Sequence, residues 1–178
     1  MAARGSIRQI VVRPRPGNAS QGLMSVGGKV LVCALGRGGI KALKREGDGA
    51  TPLARMRLLS CYLRTGHMVS KATRLPVKSI TSRLGWCEVA ADRNYNRPVS
   101  LPYPAAHETM KRADDLYDIV VVMDWNITPR RRNGGSAIFF HVARQGLTPT
   151  EGCVALPGDV MRRLLPMLSA RTVLTVRR

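Results

Sequence analysis

His141 and Cys153, separated by eleven residues, are the pair in this sequence whose types could do covalent chemistry. A β-branched and aromatic run leads into His141, and a turn ending Thr150-Glu151-Gly152 delivers Cys153. Cysteine catalysis needs a thiolate, a neighbour that takes and returns a proton, and backbone N–H groups that hold an oxyanion. Gly152, directly before the thiol, lets the backbone approach a substrate carbonyl closely. On chemistry alone the pair is suggestive, because a lone Cys and His at arbitrary spacing are more often structural.

The other cysteines stand at 33, 61 and 87. None forms CxxC, and no Cys/His group has zinc-finger spacing, so structural zinc is not expected. Cys33 and Cys61 lie in strand-like runs and read as buried small hydrophobes, and Cys87 follows Trp86. A Cys61–Cys87 disulfide stays open as an alternative in an oxidising compartment. The stretch Asp92, Arg93, Tyr95, Asn96 and Arg97 crowds donors and acceptors together, as a solvated loop held by Asx-turns or as a contact surface. Residues 130–135 (RRRNGG) read as a solvated turn or as the rim of a site. His67 reads as an ordinary loop residue.

These residues need a scaffold, and the scaffold signals are mostly short β-branched runs with turn residues at their ends. Strands are expected at 7–12, 29–35, 57–63, 118–125, 137–142 and 172–176. Helices are expected at 105–116 and 160–168, with Pro166 late in the second. On a helix the adjacent His107 and Glu108 would diverge, which favours a structural role for them. Residues 13–22 read as an extended linker or loop, so 1–22 is a basic N-terminal strand and linker region ahead of a domain at 23–178, the whole being effectively one domain. Residues 86–115, punctuated by Pro98, Pro102 and Pro104, read as a long functional loop. The pattern is that of a mainly β domain with one or two packed helices.

With 178 residues, 44% of them apolar, the chain can build one core, and a disordered polyelectrolyte is excluded. Its longest apolar runs are far too short for a membrane-spanning helix. Net charge is +18, from 29 bases and 11 acids, and no acid precedes Glu46. Such a balance favours a polyanionic partner or surroundings: nucleic acid, acidic headgroups or an anionic cell envelope. Aromatics at 4% count against base-stacking single-strand binders. No helix-turn-helix, RRM or zinc signature supports the remaining alternative, a basic nucleic-acid-binding module. The N-terminus shows no apolar run followed by a cleavage site, hence no recognisable export signal.

The segment from His141 to T150-E151-G152-C153-V154-A155-L156 resembles the signature of the L,D-transpeptidase catalytic domain (YkuD-type). Further blocks resemble a small single-domain subgroup of that family: G47-D48-G49-A50-T51-P52, W86-C87-E88, D92-R93-N94-Y95-N96-R97, H107-E108, L116-Y117-D118 and G135-S136-A137-I138-F139. Three positions depart from the family pattern. Ala155 stands where an Arg commonly follows the Cys, Val142 where a Gly often follows the His, and Ala54-Arg55 where Thr-Pro-x-Gly is usual.

The resemblance implies a β-sandwich of mixed sheets and an acyl transfer on peptidoglycan stem peptides. Cys153 would be the nucleophile, His141 the proton carrier, and Gly152 with Cys153 the oxyanion N–H donors. Tyr95, Asn96, Arg93, Asp48, Thr51, Trp86, Ser136 and Thr150 would contact substrate. It further implies acylation by carbapenems and a place in the periplasm or cell wall, with no metal, organic cofactor or nucleic acid involved. L,D-carboxypeptidation of the same substrate is the alternative outcome.

Overall fold

A computed structural model of the chain describes residues 5–64 and 73–178; His67 lies outside them. The strands in the first half are β1 (Gln9–Arg15), β2 (Asn18–Val26), β3 (Lys29–Ala34), β4 (Ile40–Lys41), β5 (Thr51–Pro52), β6 (Arg55–Arg64) and β7 (Val77–Ile80). Those in the second half are β8 (Leu84–Cys87), β9 (Pro98–Ser100), β10 (His107–Thr109), β11 (Ile119–Met123), β12 (Phe139–Val142), β13 (Val154–Leu156) and β14 (Val173–Val176). One α-helix, α1 (Gly158–Leu164), follows β13.

The large sheet runs β11-β12-β13-β3-β2-β1-β14-β6-β7, and β11 also pairs with β6. Long β6 makes this possible, meeting β14 through residues 55–57 and β11 through residues 58–63. The sheet therefore closes on itself and encloses an apolar cluster of Ile10, Met24, Leu58, Val121, Phe140, Val154, Leu156 and Leu174 among others. The architecture is mainly β with mixed parallel and antiparallel pairing, as the sequence led us to expect.

Period-two alternation decides which face each side chain joins. Ile119, Val121 and Met123 of β11 enter the enclosed core, while Val120 and Val122 face a second cluster with Tyr62, Trp86, Tyr117 and Phe139. β11 is thus buried on both faces, which is why its sequence is an unbroken apolar run.

Three expectations are corrected. Residues 13–22 are not a linker but the paired strand ends and turn of the β1–β2 hairpin, and the boundary at 22/23 falls inside β2. Pro14 is accommodated beside an irregularity in register at the strand end, and Gly17 takes the turn with φ +77°. Residues 105–116 are not a helix. β10 pairs with β8, whose other edge carries β9, and only a short 3-10 turn (Asp115–Tyr117) follows. That small sheet also structures most of what reads as a long loop between 86 and 115. Here cross-strand pairing overrides local propensity, because a twelve-residue helix has little stability of its own. The expected helix 160–168 begins earlier, at Gly158, and ends in a 3-10 turn (Leu165–Met167) that tolerates Pro166 in its first turn.

Candidate active site

β12 and β13 run parallel, with His141 opposite Ala155 and Phe140 opposite Val154. A parallel pair needs a crossover, and the residues between β12 and β13 supply it. The eleven-residue spacing is therefore the length of that connection. Cys153 lies two residues before Ala155, so alternation puts it on the face that carries His141 and Phe139, away from the enclosed core. Both residues line one cavity of about 520 Å³.

The turn that delivers Cys153 is fastened by Thr150. Its hydroxyl donates to the Cys153 carbonyl (2.7 Å) and accepts from the Gly152 N–H (3.2 Å), while its backbone exchanges hydrogen bonds with Leu35 and Arg37. Gly152 has φ +134°, and a Cβ there would lie 2.7 Å from the Ala50 carbonyl oxygen. No other residue fits without moving backbone.

Cys153 Sγ donates to the Ala137 carbonyl (3.2 Å) and accepts from the Phe139 N–H (3.3 Å). Burial pushes its pKa up from 9.0 to about 12, opposed by the Phe139 N–H. His141 Nδ1 lies 2.7 Å from the Val142 carbonyl, which only accepts, so Nδ1 carries the proton and Nε2 is the basic nitrogen. The Tyr117 ring meets the imidazole edge to face, with centroids 5.3 Å apart. Burial brings the His141 pKa down from 6.5 to about 4, opposed by the carbonyls of Val142 and Leu116. Burial thus favours thiol and neutral imidazole for the pair.

Of the expected substrate contacts, Ser136 and Thr150 line the cavity. The others do not reach it. Tyr95 is buried, its hydroxyl donating to Glu46 and accepting from the Gly135 N–H. Buried Asn96 accepts from Trp86 Nε1 and the Ala137 N–H, and donates to the carbonyls of Trp125 and Asn126. Trp86 packs edge to face on Phe139. Thr51 accepts from the Gly36 N–H, and Asp48 closes its own turn through Lys44, the Arg45 N–H and the Ala50 N–H. These five residues build the wall behind the site. Exposed Arg93 lies outside it. The four cysteines are free thiols, so no disulfide joins Cys61 and Cys87.

Sequence reasoning missed the charged lining: Lys44, Glu46, Glu88, Glu108, Arg112 and Arg144. Lys44 is taken by Asp48 at 2.6 Å, and Arg112 by Asp114 at 2.8 Å and Glu108 at 3.1 Å. Arg144 is the least committed, with 60% of its side chain exposed and Asp114 3.9 Å away. A usable signal did exist. The sequence contains four glutamates, at 46, 88, 108 and 151, and every one of them lines this cavity.

A mainly β domain that opens a cysteine and a histidine from adjacent parallel strands into one cavity defines the class. The L,D-transpeptidase catalytic domain (YkuD) matches residues 15–176, and the chain belongs to that family. Among solved structures it is similar to an L,D-transpeptidase from Mycobacterium smegmatis (14% identity, TM-score 0.44, 95% of this chain and 58% of that one). It is also similar to Mycobacterium tuberculosis L,D-transpeptidase 1 (13% identity, TM-score 0.40, 96% of this chain and 62% of that one). The chain thus spans about three-fifths of the length of those proteins. No curated protein matches it.

Proposed function

We propose that this protein is a cysteine L,D-transpeptidase that cross-links peptidoglycan stem peptides in the periplasm or cell wall. The observation that carries the reading is the placement of Cys153 and His141 on one face, open to one cavity. Substrate entering the cavity displaces water and brings its carbonyl to Sγ. His141 Nε2 takes the thiol proton as the carbon–sulfur bond forms, so charge appears only as it is consumed. The Cys153 N–H faces the developing oxyanion, and the Gly152 N–H joins it on release from Thr150 Oγ1. The imidazolium then protonates the departing D-amino acid, leaving a thioester. A second stem amine resolves it to a cross-link, and water resolves it to the carboxypeptidase product.

Arg144 takes the substrate carboxylate. Ala155 holds the family's usual arginine position, yet it is fully buried and paired with His141 and Ala34. Arg144, three residues past His141, is the available guanidinium on the cavity.

Intact-protein mass after incubation with a carbapenem tests the reading. One adduct is expected, absent from Cys153→Ala and slowed about a hundredfold or more in His141→Ala. No adduct on protein whose Cys153 accepts iodoacetamide overturns it.

A further inference from the structure

We propose that Asn96 is a positioning residue for Cys153: its side-chain amide pins the Ala137 backbone, and the pinned Ala137 carbonyl holds the thiol proton and keeps Sγ oriented for acylation. The inference rests on the reading of Cys153 as nucleophile and gives a task to the wall behind it.

The Ala137 backbone is the first observation. Ala137 has φ +51°, in the left-handed region that a Cβ disfavours. Such a conformation persists only where its surroundings over-determine it. Here three side chains tie down the segment that leads into β12. The Tyr95 hydroxyl accepts from the Gly135 N–H (3.0 Å), Asn126 Nδ2 donates to the Gly135 carbonyl (3.0 Å), and Asn96 Oδ1 accepts from the Ala137 N–H (3.1 Å). The consequence falls on Cys153. Its thiol donates to the Ala137 carbonyl (3.2 Å), and its Sγ accepts from the Phe139 N–H (3.3 Å). One short backbone segment thus grips the sulfur by its proton and by a lone pair.

Asn96 supplies an independent observation. It is buried and its amide is fully used: Oδ1 also accepts from Trp86 Nε1 (2.9 Å), and Nδ2 donates to the carbonyls of Trp125 (3.2 Å) and Asn126 (2.8 Å). Asn96 itself has φ +54°, which asparagine tolerates better than most residues. It therefore joins β8 and the turn after β11 to the segment before β12. Trp86 in turn packs edge to face on Phe139, with centroids 5.0 Å apart. Both halves of the grip on Sγ lead back to Asn96.

A hydrogen bond donated by the thiol favours its protonated form, and one received by the sulfur opposes it. Lys44, Glu88, Glu108, Tyr117 and His141 also act on the thiol, and all of them line the cavity. Asn96 does not, so a substitution there alters the grip and leaves those groups in place. When acylation begins, the S–H proton turns from Ala137 to His141 Nε2, and the electron pair left on sulfur forms the carbon–sulfur bond.

The test reads the Cys153 S–H stretch as a Raman difference against Cys153→Ala, which cancels the other three thiols. Beside it, intact-protein mass gives the rate of carbapenem acylation. The wild-type band is expected at the lowered frequency of a hydrogen-bonded thiol. Asn96→Gly keeps a left-handed backbone without steric cost and removes the amide. It should raise the band to the free-thiol position and slow acylation about tenfold. Asn96→Asp, neutral when buried, keeps an oxygen on the Ala137 N–H and should retain the low band and most of the rate. A merely structural role lowers the melting temperature of both variants without moving the band, which overturns the proposal. A free-thiol band in the wild type or in Asn96→Asp overturns it even if Asn96→Gly does not fold. A raised band with wild-type acylation in Asn96→Gly overturns it as well. Wild-type protein that forms no carbapenem adduct overturns the transpeptidase reading and the positioning role with it, while the band still reports the grip by itself.

Discussion

At the residue scale the reactive pair is stored discharged. Burial holds Cys153 as thiol and His141 as neutral imidazole, so proton transfer between them is uphill until substrate changes the cavity. Protonating His141 is harder in the folded chain, where its pKa is about 4, than at its ordinary 6.5. Its contribution to stability is complete above pH 6.5 and is lost as pH falls towards 4. Melting curves across that window should show the loss in the wild type and a flatter profile in His141→Gln. Equal slopes would refute the assignment. That Cys153 and His141 would share one site was legible in the sequence, because nucleophile chemistry restricts residue type and because the surrounding blocks resemble a family, and the two do line one cavity. The protonation states were not legible, since burial is set by residues distant in sequence such as Tyr117 and Lys44.

At the element scale the site depends on a parallel strand pair and the crossover between its members. β12 and β13 fix which side chains share a face, and Thr150 fastens the turn just before the nucleophile. Gly152→Ala places a methyl against the Ala50 carbonyl at a positive φ. It should cost about 2 kcal/mol or more in urea melts and abolish the carbapenem adduct. A variant with wild-type stability and labelling would show that the turn tolerates a side chain. The runs of β3, β6, β11 and β14 were legible because their β-branched residues announce them. The β1–β2 hairpin and the β8–β9–β10 sheet were not. Prolines and short polar strands carry weak local signals, and only cross-strand partners such as Trp86 opposite Glu108 define them.

At the scale of the whole molecule, two opposite charge distributions coexist. The chain as a whole is strongly basic, while the cavity that Cys153 lines collects the glutamates. On the proposed function, attraction to an anionic envelope would act over a Debye length of about 8 Å at physiological salt and be screened beyond it. Retention on isolated anionic sacculi should therefore fall at least severalfold between about 50 and 500 mM salt, while carbapenem labelling of the buried thiol changes little. Salt-independent retention would point to recognition by shape instead.

The sequence by itself determined a mainly β chain, the candidate Cys–His pair and the strongly basic charge. Each is a property of composition, of period-two patterning or of a short contiguous motif. The tertiary structure alone decided the rest. It closed the sheet through β6, turned Tyr95, Asn96, Trp86, Thr51 and Asp48 into wall supports, and drew four scattered glutamates around one thiol. Those outcomes depend on which distant strands pair and which faces they bury. Local sequence does not encode such pairings, because a hydrogen-bonded backbone neighbour can stand a hundred residues away, as Leu35 does from Thr150.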